Sequence, residues 1–360
     1  MAQQTALPES PGAAAHRTSP AAARLEPVRV WLYLVAALVL LMVSVGGATR
    51  LTGSGLSITE WQPIMGAVPP FSEAAWQEAF EKYRQIPQYR LINRGMSLSA
   101  FKAIYWWEWT HRFLARLVGA AFLLPFLYFL ATGRLARSLM PKLAAIFALG
   151  GLQGFIGWYM VSSGLVHRTE VSQYRLALHL SLAVAIFGAV LWVALSLGPR
   201  HAAAPSTPWQ RAGAASIAAL VFVQIVAGGF VAGLKAGFGY NTWPLIEGRL
   251  VPHGLGAMSP WWANLFENAL TVQFNHRLLA YAIALVVFWH VSVLMRGASA
   301  NAARVSGLAL AWAVLAQIGL GIWTLLAHVP LALGLAHQAV AVALLGIALW
   351  HWHRLRPAPG

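Results

Sequence analysis

Long apolar runs alternate with short, mostly basic segments along most of the chain. Eight of these runs are long enough to cross a lipid bilayer as a helix, which takes about 17–25 residues. They are predicted near residues 30–48, 105–130, 143–161, 174–197, 213–233, 270–294, 305–326 and 334–352. The alternating pattern typical of a membrane β-barrel is absent from the sequence. The pattern therefore predicts an all-α, polytopic membrane protein with eight transmembrane helices.

Charge divides the polar segments into two groups that alternate along the chain. If the N-terminus is cytoplasmic, the segments on that side hold twelve arginine and lysine residues and only two acidic residues, Glu9 and Glu26. This asymmetry obeys the positive-inside rule, so we expect a multi-pass protein of the bacterial inner membrane with both termini in the cytoplasm. The long segments 49–104 and 234–269 then lie outside. Their many Trp, Pro and Gly residues predict folded caps over the helices.

Composition narrows the chemistry that the chain can perform. Hydrophobic residues make up 59% of the chain and charged residues 10%, against roughly 25% charged residues in soluble proteins. Membrane anchoring explains the net charge of +15, so no nucleic-acid partner is expected. The lack of cysteine excludes thiolate-ligated haem, iron–sulfur clusters, zinc–thiolate sites and disulfides. Residues 1–27, rich in Ala, Pro and Ser, are predicted to form a disordered cytoplasmic tail.

The second half of the chain repeats features of the first half in the same order. The matching features are Gly46-Gly47 and Gly228-Gly229, the His-Arg segments 111–115 and 276–280, the glutamine- and glycine-containing segments 153–158 and 317–323, and His179 and His337. Each half holds an even number of spans and therefore starts from the same side of the membrane. The sequence predicts two tandem four-helix repeats, residues 28–200 and 201–360, related by a pseudo-two-fold axis along the membrane normal.

Four histidines occupy positions that this repeat relates. They are His111, His179, His276 and His337, all in even-numbered spans and within the first two turns from the predicted outer side. An ionisable side chain inside a span is costly and usually marks a functional site. Each half offers one histidine from each of two helices, which suits bis-histidine ligation of a haem. Zinc or a di-iron centre fits less well, because the single Glu-x-x-His lacks the further carboxylates of a di-iron bundle.

One difference between the halves falls beside these histidines. Glu108 precedes His111 by three residues, whereas Gln273 precedes His276 by three. This spacing puts both side chains of each pair on one helical face. A carboxylate beside one site and a neutral amide beside the other predict chemistry in the first half and a permanent cofactor in the second. The alternative, that Glu108 only orients its histidine or pairs with Arg112, stays open.

Two further residue types accompany the histidines. Arg112 and Arg277 each follow a histidine directly, where they could hold haem propionates or extend to lipid headgroups. Small residues, Gly154, Gly157, Gly319 and Gly321, lie on odd-numbered spans. They permit close helix packing and would let helices approach one another around a flat porphyrin.

Four sequence motifs carry a family resemblance. They are Gly-Gly-Ala-Thr-Arg-Leu-Thr-Gly-Ser-Gly-Leu-Ser at 46–57, Glu-Trp-Thr-His-Arg at 108–112, Phe-Asn-His-Arg at 274–277 and Ala-His-Gln at 336–338. Together they resemble the haem A synthase family, and the resemblance runs through all eight spans. It implies an enzyme, a membrane haem-dependent oxidoreductase that oxidises the C8 methyl group of haem O to a formyl group. The product, haem A, serves terminal oxidases.

The resemblance also implies cofactor, substrate and partners. It implies haem b in the C-terminal half and the substrate haem O in the N-terminal half. The residues implied are His276, His337 and Arg277 for haem b, His111, His179 and Arg112 for haem O, and Glu108 as the catalytic residue. Expected partners are haem O synthase, an electron acceptor and membrane lipid, and a homo-oligomer is compatible with the exposed small-residue faces. Some family members carry a cysteine pair in the first outer loop; this chain has none and resembles the alphaproteobacterial and mitochondrial branch.

Two other functions share part of the pattern. A two-haem electron-transfer cytochrome without chemistry of its own would have the paired histidines, but it gives no reason for Glu108 in one half and Gln273 in the other. A transporter that uses the histidines as proton relays would bind no porphyrin.

Overall fold

Ten α-helices and three short 3-10 segments make up the part of the chain that the computed structural model describes, namely residues 20–62, 65–166, 168–198, 206–297, 299 and 301–356. The helices are α1 (Pro20–Leu51), α2 (Glu73–Arg84), α3 (Pro87–Leu91), α4 (Leu98–Ala131), α5 (Met140–Val166), α6 (Gln173–Ser196), α7 (Pro208–Gly233), α8 (Ala269–Arg296), α9 (Asn301–Leu326) and α10 (Leu331–Arg354). The 3-10 segments are Met65–Ala67, Ala236–Phe238 and Trp261–Leu265. Eight of the ten α-helices, all except α2 and α3, are long and apolar enough to cross a membrane, which confirms the predicted fold class.

Helix α1 corrects the predicted boundary of the N-terminal tail. The helix begins at Pro20, so residues 20–27 are helical rather than disordered. Proline is well suited to the start of a helix, because the first N–H group of a helix has no partner within it. The rest of the predicted tail, residues 1–19, lies outside the described residues.

Helix α4 begins about two turns before its apolar run. It starts at Leu98 instead of near residue 105, and the Ser97 side chain caps it by accepting a hydrogen bond from the N–H group of Ala100. The cap satisfies a backbone donor that would otherwise be unpaired. His111 therefore lies deeper along its helix than the two turns that we predicted, whereas the other three histidines lie about two turns from the start of theirs.

The membrane helices pack in the same cyclic order in each half of the chain. In the first half, α1 and α5 each contact both α4 and α6; in the second half, α7 and α9 each contact both α8 and α10. The helices that carry the histidines thus lie diagonally opposite each other. Among the described residues, α4 shares no extensive interface with α6, nor α8 with α10. The two-fold axis between the halves stays a prediction.

The halves meet along α1, α6, α7 and α10, where buried apolar residues of both halves form one continuous core. Gln338 of α10 donates a hydrogen bond to the carbonyl oxygen of Val43 on α1 at 2.9 Å. Near the ends of the helices, Glu170 accepts a hydrogen bond from Arg50 at 2.9 Å and also pairs with Lys235. These contacts fix the position of each histidine-bearing half against the other.

The two long connecting segments are folded, as their composition predicts. In the first, α2 packs on the start of α4 and α3 packs on α2 and α5, around an aromatic cluster in which Tyr83 and Phe101 are fully buried. The Tyr83 hydroxyl donates to Gln88 at 3.0 Å and accepts from Asn93 at 2.7 Å, and burial raises the pKa of the phenol. In the second, the Asn264 side chain closes its loop by bonding to backbone groups of the same loop. Each segment therefore covers one end of the helices that carry the site.

Candidate functional site

A glycine on a neighbouring helix faces each of the four histidines. Cβ atoms built at Gly46, Gly157, Gly228 and Gly321 would lie 2.9, 2.9, 3.3 and 2.8 Å from Cε1 of His111, His179, His276 and His337, respectively. Real Cβ atoms essentially never come within 3.0 Å of another heavy atom. At three of the four positions, any side chain would therefore displace the imidazole ring.

The two histidines of each predicted pair are brought together across the ring of helices. His179 is close enough to His111 for the two imidazoles to interact electrostatically, and His337 stands in the same relation to His276. Each pair bridges helices that share no extensive interface. The rings are therefore positioned by contacts with the flanking helices rather than by packing of one histidine helix on the other.

Several polar atoms beside the histidines are buried without a hydrogen-bond partner. They are Nδ1 of His111 and His276, and Oε1 of Gln153, Gln224 and Gln317. Burying a polar atom without a partner costs about 1–3 kcal/mol, so such a cluster is typical of a site that a ligand completes. Among the described residues, no group of three or more His, Cys, Asp or Glu side chains could hold a bare metal ion. Two imidazoles with glycine-lined walls instead fit a haem, whose porphyrin supplies the remaining iron ligands.

Glu108 is buried and held by four hydrogen bonds. Its Oε2 accepts from the Ser57 hydroxyl and from the Ile58 N–H group, both at 2.8 Å. Its Oε1 accepts from Nε and Nη2 of Arg112 at 3.1 and 2.6 Å. A carboxylate offers about four lone-pair positions, so these donors fill them. The arrangement holds a fixed anion on α4, three residues before His111.

Gln273 occupies the corresponding position in the second half, but its neighbours differ. Its amide nitrogen donates to the carbonyl oxygens of Ala236 and Tyr240 at 2.8 and 3.2 Å, and its Oε1 accepts from Arg277 at 2.8 Å. The loop in the first half offers donors, which match a carboxylate. The loop in the second half offers acceptors, which match an amide. The difference between Glu108 and Gln273 is therefore matched by a difference in the loop groups that surround each residue.

Arg112 and Arg277 bind the loops that follow α1 and α7, respectively. Arg112 donates to the carbonyl oxygens of Ile58 at 2.7 Å and Glu60 at 2.9 Å. Arg277 donates to those of Tyr240 at 3.1 Å and Thr242 at 2.9 Å. Most N–H groups of Arg112 are occupied by these carbonyls and by its carboxylate neighbour, so the arginines position the loops over the histidines. Contact with haem propionates stays a prediction.

A cavity of about 250 Å³ lies beside this loop in the first cap. It is lined in part by Glu60, Glu78, Lys82 and Arg112. Lys82 donates hydrogen bonds to Glu60 and Glu78, each at 2.8 Å; these bonds raise the pKa of Lys82, and the bond from Lys82 lowers the pKa of Glu78. The cavity is polar and lies next to the arginine that holds the buried carboxylate.

Sequence reasoning missed a second buried histidine cluster and the role of three glutamines. His290 and His351 share a hydrogen bond at 2.9 Å between their Nε2 atoms, and Ser306 bonds Nδ1 of His351 at 2.8 Å. His351 lies inside α10 and is fully buried. A signal was present: each of these histidines follows a site histidine by 14 residues, which keeps it near the same helical face.

Eight helices able to span a membrane define the class, a polytopic helical membrane protein with one pair of neighbouring histidines in each half. The sequence profile of the COX15-CtaA family, described as cytochrome oxidase assembly protein, matches residues 29–349. The chain belongs to this family. It is an oxidoreductase family whose members act in haem A biosynthesis, so haem is part of its chemistry.

Three bacterial relatives illustrate the similarity, and each bears the name haem A synthase. A protein of Parvibaculum lavamentivorans is 57% identical over 325 residues, covering 90% of this chain and 93% of the relative. One of Azorhizobium caulinodans is 56% identical over 337 residues, covering 92% and 95%. One of Rhodospirillum centenum is 51% identical over 354 residues, covering 98% and 94%. The similarity therefore extends over nearly the whole length of each protein.

Proposed function

We propose that the chain is a haem A synthase that oxidises the C8 methyl group of haem O to the formyl group of haem A. The observation that carries this proposal is the 57% identity, over 90% of the chain, to a protein named haem A synthase. We also propose that the protein lies in the bacterial inner membrane with both termini in the cytoplasm. It would receive haem O from a haem O synthase and pass electrons to an external acceptor.

The N-terminal half would hold the substrate, with His111 and His179 beside the iron of haem O. Glu108 is the residue proposed to act in catalysis. Its four donors favour a fixed negative charge over a proton acceptor, because no lone pair is left to receive a proton without breaking a hydrogen bond. A preorganised anion stabilises positive charge that develops on the methyl carbon during oxidation.

The C-terminal half would hold haem b, with His276 and His337 as its ligands. When bound, haem b supplies reversible one-electron transfer. Gln273 is itself neutral, in place of the carboxylate of the first half, and Arg277 holds the loop against Gln273 and α8. This division of labour is supported by the different loop chemistry around Glu108 and Gln273.

Pigment analysis in a host that makes haem O and has no haem A synthase of its own tests the function. Cells expressing the chain should accumulate haem A, identified by mass, and the purified protein should show a Soret band. Glu108→Ala should abolish haem A while the protein keeps its bound haem. Glu78→Ala, an exposed carboxylate of the first cap, is the matched control and should leave haem A unchanged.

Three results would contradict parts of this proposal. Normal haem A levels with Glu108→Ala would remove Glu108 from catalysis. A purified protein without a Soret band, after expression with sufficient haem, would exclude the haem sites. Replacement of His276 or His337 without loss of the permanent haem would show that the two halves have been assigned wrongly.

A further inference from the structure

Three of the four site histidines each have a glutamine partner, and the three glutamines occupy equivalent positions on their helices. In each case the glutamine lies four residues, about one helical turn, before the glycine that faces the histidine, so both lie on one helical face. The sets are Gln153, Gly157 and His179; Gln224, Gly228 and His276; and Gln317, Gly321 and His337. This arrangement occurs on α5, α7 and α9, and thus on three of the four helices that flank the histidine helices.

Each glutamine makes the same pair of contacts. Its Nε2 donates to the backbone oxygen of the histidine, at 3.1 Å for His179, 2.9 Å for His276 and 3.0 Å for His337. The same nitrogen lies 3.2 Å from Nδ1 of His179 and of His337, and 3.2 Å from Nε2 of His276. The amide is therefore anchored to the histidine backbone and directed at its ring.

The oxygen atom of each amide, Oε1, indicates that a bound ligand changes which ring nitrogen carries the proton. Oε1 of all three glutamines is buried without a partner. A neutral histidine that binds iron through one nitrogen carries its proton on the other, and that proton requires an acceptor. The unpartnered Oε1 belongs to the side chain already in contact with the ring. A rotation of the amide that gives up the bond from Nε2 to the histidine backbone would therefore supply this acceptor.

The fourth histidine lacks this partner. The residue four positions before Gly46, which faces His111, is Met42. A thioether has no N–H group and accepts hydrogen bonds only weakly. Nδ1 of His111 is buried without a hydrogen-bond partner, as is Nδ1 of His276, whose glutamine contacts Nε2 instead. Both ligands proposed for haem b thus have a glutamine partner, whereas only one of the two histidines proposed beside haem O has one.

We propose that Gln153, Gln224 and Gln317 are positioning residues that fix the proton of their histidines for iron binding, and that Met42 leaves His111 as the weaker ligand, through which haem is exchanged. The inference rests on the proposed function, because it explains how one half retains a haem and the other releases one. Partners of metal-binding histidines typically change metal affinity by 10- to 100-fold. The expected differences in haem retention are of that size.

Haem transfer from the purified full-length protein to excess apomyoglobin tests the proposal without turnover. The protein is loaded with haem b and haem O, whose release is followed separately by pigment analysis. Met42→Gln should slow the release of haem O by about tenfold. Met42→Leu, which changes the side chain without adding a hydrogen bond, should release haem O at the parent rate. Gln317→Met should speed the release of haem b by about tenfold or more.

A spectroscopic readout separates positioning from simple packing. Gln317→Met should raise the midpoint potential of haem b, because the histidine becomes a less basic ligand. Gln317→Glu keeps an acceptor for the ring proton and should retain haem b with a lowered potential. Equal release from Met42→Gln and Met42→Leu, or an unchanged potential and release rate with Gln317→Met, would overturn the inference and leave the proposed function intact. A parent protein that binds no haem would overturn both.

Discussion

Replacing Gly321 by alanine tests whether the glycines define the haem sites. A Cβ at this position would lie 2.8 Å from Cε1 of His337, whereas ordinary van der Waals contact begins at 3.4 Å. The imidazole would therefore have to move by about 0.6 Å. Overpacking of this kind typically costs about 1–3 kcal/mol. Since each 1.4 kcal/mol is about a factor of ten, haem affinity should fall by roughly 5- to 150-fold.

The same helix provides a matched control. Gly319 lies two residues before Gly321 on α9, and a Cβ there would meet nothing within 4 Å. Gly319→Ala carries the same chemical change and the same gain in helix propensity, so it should leave haem binding unaffected. At Gly228 a Cβ would lie 3.3 Å from His276, so the loss of haem affinity in Gly228→Ala should be intermediate between those of Gly319→Ala and Gly321→Ala.

The assay is haem content per protein, measured as the pyridine haemochrome, together with the rate of haem loss to apomyoglobin. Gly321→Ala should show lower content and faster loss than Gly319→Ala. If Gly321→Ala retains haem as firmly as Gly319→Ala, the glycine contact with His337 does not shape the site, and the haem pocket must lie elsewhere.

Three further outcomes follow from the contacts of single residues. Ser57→Ala removes a hydrogen bond to the buried carboxylate, worth about 1.5–3 kcal/mol, so haem A formation should slow at least tenfold; normal rates would contradict this. Gln273→Glu would place a carboxylate against the two carbonyl oxygens that now accept hydrogen bonds from the Gln273 amide. Thermal unfolding should therefore occur at lower temperature, without a gain in haem A. His351→Leu leaves Nε2 of His290 without its partner, whereas the Ser306 hydroxyl keeps its bond to the Ala303 carbonyl oxygen. Stability should fall by about 1–3 kcal/mol, while haem content, measured in the same preparation, stays at the parent level.

The eight spans could be predicted because hydrophobic length is a local property of the sequence. The starts of the helices could not, because they depend on capping: Ser97 extends α4 by about two turns beyond the apolar run, and α1 continues back to Pro20. These differences moved His111 farther from the start of its helix. They did not change which histidines meet, since pairing follows from the order in which the helices pack.

The candidate site could be predicted as far as residues on one helix were concerned. The repeat identified the four histidines, and the i, i+3 spacing identified Glu108 and Gln273. Contacts between elements could not be read in this way. Gln224 reaches His276 only because α7 packs on α8, and its role required knowledge of that packing. The carbonyl partners of Arg112 were hidden for the same reason, because they depend on how the loop after α1 folds back over α4.

The difference between Glu108 and Gln273 belongs to the loops as much as to the two residues. In each half an arginine on the histidine helix donates to two loop carbonyls, so the loops are held in a comparable way. Within that frame the first loop directs the Ile58 N–H group at the side chain, and the second directs the carbonyl oxygen of Ala236. An anion is stable only where donors surround it. Exchanging the two side chains alone would therefore leave each facing groups of the wrong polarity, and a functional carboxylate in the second half would require a rebuilt loop.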